Sequence, residues 1–280
     1  MKHQLLALDL DGTTLQDNHQ LNPSIKDFVH SIKSHYHVVI VTGRHHTAAK
    51  PYYDEFKLDT PIICCNGTYT YHYQQGKVLD HKAIDKGLAQ RFIQSAERHR
   101  LKMVMYITDA MTYSLSDPIP YMQPLDTWAK SFPAESQPNI YQTDNFASLA
   151  KATDCVWKFV VEGEPERLKA FLHQTWIEDN FEGAWSGESR IDLALKGNNK
   201  GDALARYARQ LGIDTGSIVA AGDNFNDISM LNIAGTGIAM QQADLVVKQS
   251  ADMICETDNH GDGLAKLLKC YFPLVGGDNI

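Results

Sequence analysis

The feature that most constrains this chain is an apolar run that leads straight into two carboxylates. The run at residues 5–8, LLAL, is followed by Asp9, and Asp11 comes two residues later in the sequence DLDGT. An uninterrupted apolar run is typical of a strand that is buried on both faces of a parallel sheet. Carboxylates at the end of such a strand are costly unless a partner of opposite charge compensates them. The chain is therefore predicted to fold around a compensated acidic site.

The patterns near both termini predict a doubly wound, Rossmann-like parallel α/β core. Asn22 as an N-cap and Pro23 at the first helical position indicate a helix with one apolar face. The apolar runs in VVIVTGR and PIICCNG then predict buried strands separated by a helix-length segment. This β-α-β-α-β order implies parallel strands joined by right-handed crossovers. The same character returns in NKGDALARYARQLG, SIVAAGD and NDISMLNIAG.

The central region has a different character, which indicates an inserted α+β domain. The segment YTYHYQQGKVLDH predicts a hairpin, and a helix is predicted from Ile84 to Arg100. Half-exposed strands follow in KMVMYIT, MTYSL and VWKFVVEG, with a connection punctuated by prolines between Asp117 and Pro138. The predicted domains are a discontinuous core of residues 1–81 and 191–280 and an inserted α+β domain of residues 82–190.

Composition limits the partners that we expect. The net charge of -8 comes without a long acidic or basic run, which argues against nucleic acid as a partner. No apolar run approaches the roughly 20 residues that span a bilayer, and Met1 leads almost at once into a strand. We therefore expect a cytoplasmic protein without a membrane partner, as a monomer or a small homo-oligomer. The five cysteines lack metal-ligand spacing and are expected to be reduced thiols.

Polar groups follow four of the predicted buried strands. They are Asp9 and Asp11, residues 42–44 (TGR), residues 66–67 (NG) and residues 222–224 (GDN). In an open parallel sheet, ligands bind beyond the carboxyl ends of the strands, so these groups should converge. Three carboxylates in one place repel one another unless a divalent cation neutralises them, and oxygen ligands suit Mg²⁺. Such an ion, facing Thr42, the backbone amides of Gly43 and Arg44 and a lysine, would suit a phosphate group.

Four motifs resemble those of the haloacid dehalogenase-like phosphohydrolases. They are DLDGT, VTGR, NKG and GDNFND, in the same order and spanning nearly the whole chain. The long insertion between the second and third motifs resembles the Cof-type subfamily, which has a large α/β cap. Details such as TGRHH, DTPIICCNGTY and GDNFNDISML resemble the bacterial pyridoxal phosphate phosphatase branch. The resemblance implies an Mg²⁺-dependent phosphomonoester hydrolase that forms an aspartyl-phosphate intermediate. Its substrate would be a small phosphorylated metabolite, with pyridoxal 5'-phosphate preferred.

The resemblance also implies roles for individual residues. Asp9 would be the nucleophile, and Asp11 would protonate the leaving alkoxide and then accept a proton from the hydrolytic water. The groups that hold the phosphoryl oxygens would be Lys200, Thr42, Gly43, Asn226 and the backbone amide of Leu10. The Mg²⁺ ligands would be Asp9, the backbone carbonyl of Asp11, Asp223 and Asn224. Asp227 would orient Lys200 or a metal-bound water.

Other interpretations of the same residues stay open at this point. A sugar phosphatase acting on hexose phosphates or fructose bisphosphate would use the same core, and a phosphomutase would share its nucleophile. Aspartates with a threonine and a lysine also occur in phosphorylation-switched signalling modules, and a ligand-binding protein without activity is a further alternative. Asn66 and Gly67 are either turn residues or part of the site, and His45 and His46 are expected to lie at a helix start.

Overall fold

The computed structural model describes residues 4–273, apart from the side chains at positions 186 and 187, and the chain divides into two compact units. Within the described range, the first unit comprises residues 4–43, 52–79 and 199–273, and the second comprises residues 44–51 and 80–198. The boundaries differ from those expected from the sequence. The strand at Arg190–Leu195 groups with the second unit because it pairs with two other strands of that unit.

Strands and helices alternate in the order that a sheet with a long insertion requires. The strands are β1 (Leu5–Leu8), β2 (His37–Ile40), β3 (Ile62–Cys64), β4 (Tyr69–His72), β5 (Lys77–His81), β6 (Lys102–Ile107), β7 (Ala110–Tyr113), β8 (Ile140–Gln142), β9 (Val156–Glu162), β10 (Phe181–Gly187), β11 (Arg190–Leu195), β12 (Ile218–Gly222), β13 (Thr236–Ala239) and β14 (Met253–Ile254). The helices are α1 (Pro23–Ile32), α2 (His46–Phe56), α3 (Lys86–Arg98), α4 (Met122–Ala129), α5 (Phe146–Ala152), α6 (Pro165–Leu172), α7 (Thr175–Asn180), α8 (Lys200–Gln210), α9 (Ile228–Ile233), α10 (Leu245–Gln249) and α11 (Gly263–Tyr271).

The first unit contains a parallel sheet with β1 at its interior. The strand order is β14-β13-β12-β1-β2, and each neighbouring pair is parallel. Leu5 and Ala7 belong to an apolar cluster with side chains of α8 and α9, while Leu6 and Leu8 alternate onto the other face. All four residues are completely buried. The predicted doubly wound α/β core is confirmed, and β1 is buried on both faces as its composition indicated.

A smaller sheet of the order β3-β4-β5 begins beside the end of β2. Val41 and Ile63 form a parallel bridge, and β3 then pairs with β4 in antiparallel orientation. This places the turn after β3 next to the residues that follow β2.

The second unit is the inserted α+β domain. Its sheet has the order β10-β11-β9-β6-β7-β8, and one face packs against α3, α5 and α6. At the centre of this core the rings of Phe92 and Phe159 stack with their centroids 4.1 Å apart. Helix α4 lies within the segment that the sequence indicated as a proline-punctuated connection. Pro124 falls in the first turn of α4, where its missing N–H removes no helical hydrogen bond.

Candidate active site

A fully buried lysine lies between two carboxylates at the end of β1. Lys200 is the first residue of α8, and its Nζ lies 2.5 Å from Oδ1 of Asp9 and 2.6 Å from Oδ1 of Asp227. The Lys200 and Asp227 side chains have no exposed surface, and that of Asp9 is 7% exposed. Charges buried to this degree are tolerated only when they compensate one another. The three side chains therefore form one electrostatic unit.

The start of α8 is held in place by local capping and by a close backbone approach. The Asn199 side chain caps the helix by accepting a hydrogen bond from the backbone N–H of Asp202. The backbone N–H of Gly201 donates to Oγ of Ser229 at 3.0 Å. A Cβ atom at Gly201 would overlap the carbonyl oxygen of Ser229, so only glycine allows this approach. These contacts fix the point from which the Lys200 side chain extends.

Asp227 uses both of its carboxylate oxygens for contacts within the protein. Oδ1 accepts from Lys200, and Oδ2 accepts from the backbone N–H groups of Asp223 and Asn224 at 3.0 Å each. These contacts orient Lys200 and fix the turn that carries Asp223. The geometry favours a positioning role for Asp227 over the role of a metal ligand.

Asp223, which follows β12, contacts the turn after Asp9. Its Oδ1 accepts a hydrogen bond from Oγ1 of Thr13 at 3.1 Å. Gly12 has a φ of +77°, and a Cβ atom there would overlap the Asp223 carboxylate. Glycine is therefore required at position 12 both by the left-handed backbone and by the closeness of Asp223.

Burial dominates the electrostatics of the carboxylates. Burial raises the pKa of Asp9 well above its usual value, and Asp227 raises it further, while Lys200 opposes both effects. Burial likewise raises the pKa of Asp223 to about 6. For Lys200, burial lowers the pKa, but Asp227 and Asp9 more than offset this effect and the net shift is upward. One ammonium thus faces several carboxylates, and the site retains excess negative charge.

This excess charge and the donor atoms fit a divalent cation. One carboxylate oxygen from each of Asp9, Asp223 and Asp227 can lie within 4.8 Å of the other two. An all-oxygen set of hard donors suits Mg²⁺. The Asp11 side chain is exposed, and the amide oxygen of Asn224 accepts from the backbone N–H of Phe225 at 2.8 Å. Asp9 and Asp223 are therefore the carboxylates best suited to hold the ion, since both oxygens of Asp227 are already engaged.

The residues predicted to bind phosphate lie at neighbouring strand ends. Asp9 follows β1, the buried Thr42 follows the adjacent β2, and Leu10 is buried beside Asp9. The backbone N–H of Thr42 donates to the carbonyl of Ile63 at 2.9 Å. Asn226 lies in the 3₁₀ turn Phe225–Asp227, in the same turn as the Lys200 partner Asp227. The structure thus gathers these residues at the carboxyl edge of the first unit's sheet.

Comparison with known proteins identifies the family. A model of the haloacid dehalogenase-like hydrolases matches residues 6–268. The pyridoxal phosphate phosphatase YbhA of Escherichia coli K12 is 38% identical over 270 residues, covering 96% of this chain and 98% of that protein. The chain belongs to the haloacid dehalogenase-like hydrolases. The predicted family and an enzyme of the phosphatase type within it are confirmed.

More distant relatives also match nearly the whole chain. The 5-amino-6-(5-phospho-D-ribitylamino)uracil phosphatase YitU of Bacillus subtilis 168 is 27% identical, covering 98% of this chain and 99% of that protein. A haloacid dehalogenase-like hydrolase structure from Bacteroides thetaiotaomicron gives a TM-score of 0.83 at 23% identity, covering 97% of this chain and 100% of that one. Among residues 4–273, no helix combines the length and apolar character that a membrane span requires.

Three residues of this haloacid dehalogenase-like site were not assigned from the sequence. Thr13 contacts Asp223, Asn66 contacts Asn226, and Nε2 of Gln242 donates to the carbonyl of Gly12 at 2.5 Å. The motif DGTT contains Thr13, and the turn NG contains Asn66, so both offered a sequence signal. Gln242 offered none, because its contact arises only when the loop after β13 folds back.

The two histidines after the second motif lie at the start of α2, as expected, and His45 caps the helix. Nδ1 of His45 accepts from the backbone N–H and the hydroxyl of Thr47, at 3.3 and 2.9 Å. Its Nε2 then donates to the carbonyl of Ile107 at 2.9 Å, which defines a neutral ring. Burial lowers the pKa of His45 to about 4 and that of His46 to about 2. Both rings are neutral at pH 7.

Proposed function

We propose that this protein is an Mg²⁺-dependent phosphomonoester hydrolase that uses Asp9 as its nucleophile and dephosphorylates pyridoxal 5'-phosphate. The observation that carries the proposal is the buried Lys200 between Asp9 and Asp227, with Asp223 beside them. A carboxylate at the end of a central parallel strand, with a cation held beside it, is suited to attack a phosphoryl group. The substrate is supported by the 38% identity to the E. coli enzyme.

Asp9 and Asp11 would divide the chemistry between them. An oxygen of Asp9 forms a bond to phosphorus while the ester P–O bond breaks, and Asp11 donates a proton to the departing alkoxide. Water then attacks the aspartyl-phosphate, Asp11 accepts its proton, and phosphate leaves as Asp9 is restored. The exposed position of Asp11 suits a group that exchanges protons with water, and the buried position of Asp9 suits a nucleophile.

Lys200 would act on both the nucleophile and the phosphoryl group. Its charge opposes the rise in the pKa of Asp9 and so favours the ionised, nucleophilic carboxylate. Together with Thr42, Asn226 and the backbone amides of Leu10 and Gly43, it would hold phosphoryl oxygens as their charge redistributes. Lys200 and Asn226 already have hydrogen-bond partners within the protein, which would limit the reorganisation needed during the reaction.

Asp9, Asp223 and the backbone carbonyl of Asp11 would hold Mg²⁺. When bound, the ion supplies positive charge that neutralises these carboxylates and polarises the phosphoryl group. Thr13 would keep the Asp223 carboxylate oriented through its hydrogen bond.

The decisive experiment measures phosphate release from pyridoxal 5'-phosphate and from a panel of sugar and nucleoside monophosphates, with Mg²⁺ or with EDTA. Asp9→Asn, which is nearly isosteric, serves as the blank. We expect Mg²⁺-dependent turnover with the highest kcat/KM for pyridoxal 5'-phosphate, and none from a folded Asp9→Asn protein. Turnover by that variant would refute Asp9 as the nucleophile. A higher kcat/KM for a sugar phosphate than for pyridoxal 5'-phosphate would refute the proposed substrate while leaving the phosphatase chemistry intact.

A further inference from the structure

The turn after β3 has an unusual backbone. Cys65, Asn66 and Gly67 follow one another with φ values of +50°, +57° and +88°. Non-glycine residues rarely adopt this left-handed region, and asparagine tolerates it better than most. Gly67 must be glycine for a second reason, because a Cβ atom there would overlap the carbonyl oxygen of Asn199. The turn therefore has a conformation that local sequence alone would not favour.

This backbone places the Asn66 side chain between two parts of the candidate phosphate site. The backbone N–H of Asn66 donates to the carbonyl of Thr42 at 3.0 Å. A Cβ atom on Gly43 would lie 3.0 Å from Oδ1 of Asn66, so glycine at position 43 makes room for this amide. The same Oδ1 accepts a hydrogen bond from Nδ2 of Asn226 at 2.9 Å. Asn66 thus joins the loop after β2 to the turn that carries Asn226.

The two amides retain hydrogen-bonding capacity. Oδ1 of Asn226 is buried and has no hydrogen-bond partner among the described residues. The Nδ2 group of Asn66 likewise donates to no group within residues 4–273. Since Oδ1 of Asn226 is an acceptor, a phosphoryl oxygen would not pair with it. A phosphoryl oxygen beside Gly43 would instead accept from the N–H groups of the two amides that have no partner in the described part of the chain.

We propose that Asn66 is a positioning residue of the phosphate site, which acts by orienting the amide of Asn226. This inference rests on the proposed function. Through its Oδ1, Asn66 selects the orientation of Asn226 in which Nδ2, the only donor of that side chain, points toward Asn66 and the Gly43 loop. An extended backbone at position 66 would direct the amide elsewhere, so the left-handed turn is what brings the two amides together.

The test uses Asn66→Gly, which removes the amide but keeps a residue that adopts a positive φ without strain. Lys57→Gly is the matched control, since Lys57 is exposed and has a φ of +54°. For each protein we would measure kcat and KM with p-nitrophenyl phosphate, and the binding of inorganic phosphate by titration calorimetry in excess Mg²⁺. Asn66→Gly is expected to weaken the affinity for phosphate by about tenfold, which is the effect expected from the loss of one hydrogen bond. Lys57→Gly is expected to leave the affinity unchanged.

A double-mutant cycle with Asn226→Ala separates positioning from independent contact. If Asn66 acts through Asn226, the double variant binds phosphate no more weakly than Asn226→Ala alone. Fully additive losses, or phosphate binding by Asn66→Gly within twofold of the Lys57→Gly control, would overturn the inference. The calorimetry needs no turnover. A wild-type protein that binds phosphate but hydrolyses no ester would therefore refute the proposed function, while the calorimetric comparison of the variants would still decide whether Asn66 orients Asn226.

Discussion

Nζ of Lys200 lies 2.5 Å from Oδ1 of Asp9, although the two residues are 191 positions apart in the sequence. The contact joins the start of α8 to the end of β1, and neither side chain has more than 7% of its surface exposed. Since Asp227 binds the same ammonium from the other side, removal of the lysine would leave two buried carboxylates without compensation.

Lys200→Met should therefore abolish activity and lower stability. Methionine has a similar length and no charge, and loss of one charged donor to a phosphoryl group costs about 100-fold or more in kcat. Unpairing a buried ion pair costs about 3–5 kcal/mol in the free energy of unfolding. The control is Lys266→Met, because Lys266 forms an exposed pair with Asp262. Phosphate release and urea unfolding check the prediction, which fails if the kcat of Lys200→Met stays within threefold of wild type.

In the metal-free protein, Asp223 should contribute stability that is lost as the pH rises from about 4 through about 6. Burial raises the folded-state pKa of Asp223 to about 6, so the folded protein holds a proton that the unfolded chain has already lost. Asp9 acts in the same direction. In EDTA, the urea midpoint of wild type minus that of Asp223→Asn should decrease between pH 4.5 and 7.5, because the buried histidines act with the opposite sign in both proteins and cancel in this difference. A difference that does not change with pH would contradict the raised pKa.

Magnesium should stabilise the protein more strongly as the pH rises. The ion competes with protons for Asp9 and Asp223, and both carboxyls have raised pKa values. The increase in the urea midpoint on adding Mg²⁺ should be larger at pH 7.5 than at pH 5. In Asp223→Asn we expect a smaller gain at both values. A gain independent of pH would count against these carboxyls as ligands.

Gly12→Ala should weaken Mg²⁺ binding and activity much more than the same glycine-to-alanine change at another position with a positive φ. The new Cβ atom would displace the Asp223 carboxylate, in addition to the strain of a φ of +77°. Gly197→Ala is the control, because Gly197 has a φ of +78° and open space around its Cβ position. That control should lose only about 1 kcal/mol of stability. Calorimetric Mg²⁺ affinity and kcat report the difference, and equal behaviour of the two variants would exclude the clash.

The buried His45 beside the start of α2 should contribute stability that is lost in mild acid. Burial lowers the folded-state pKa of His45 to about 4, so its contribution is present above pH 6.5 and is lost as the pH falls toward 4. His45→Gln should reduce this loss of unfolding free energy between pH 7 and 5. His35→Gln, at an exposed position, should not. Parallel acid dependence in the His45→Gln variant and wild type would contradict the buried, neutral ring.

Local patterns predicted much of the fold because neighbouring residues encode them. The apolar composition of β1 requires burial on both faces, and Asn22 with Pro23 marks the start of α1. Helix α4 was not predicted because Pro124 is typical of a segment that interrupts helices, although the first turn of a helix tolerates proline. Strand β10 was missed because its glycines conceal the alternation expected of a strand.

The sequence by itself determined the family and the four motifs that carry the candidate site, since each motif is contiguous and ends a strand or begins a helix. Only the tertiary structure decided how those residues are paired. Thr13 meets Asp223 across 210 positions, Asn66 meets Asn226 across 160, and Gln242 meets Gly12 across 230. No local pattern encodes such contacts, because they form only when parallel strands bring distant turns to one edge of the sheet.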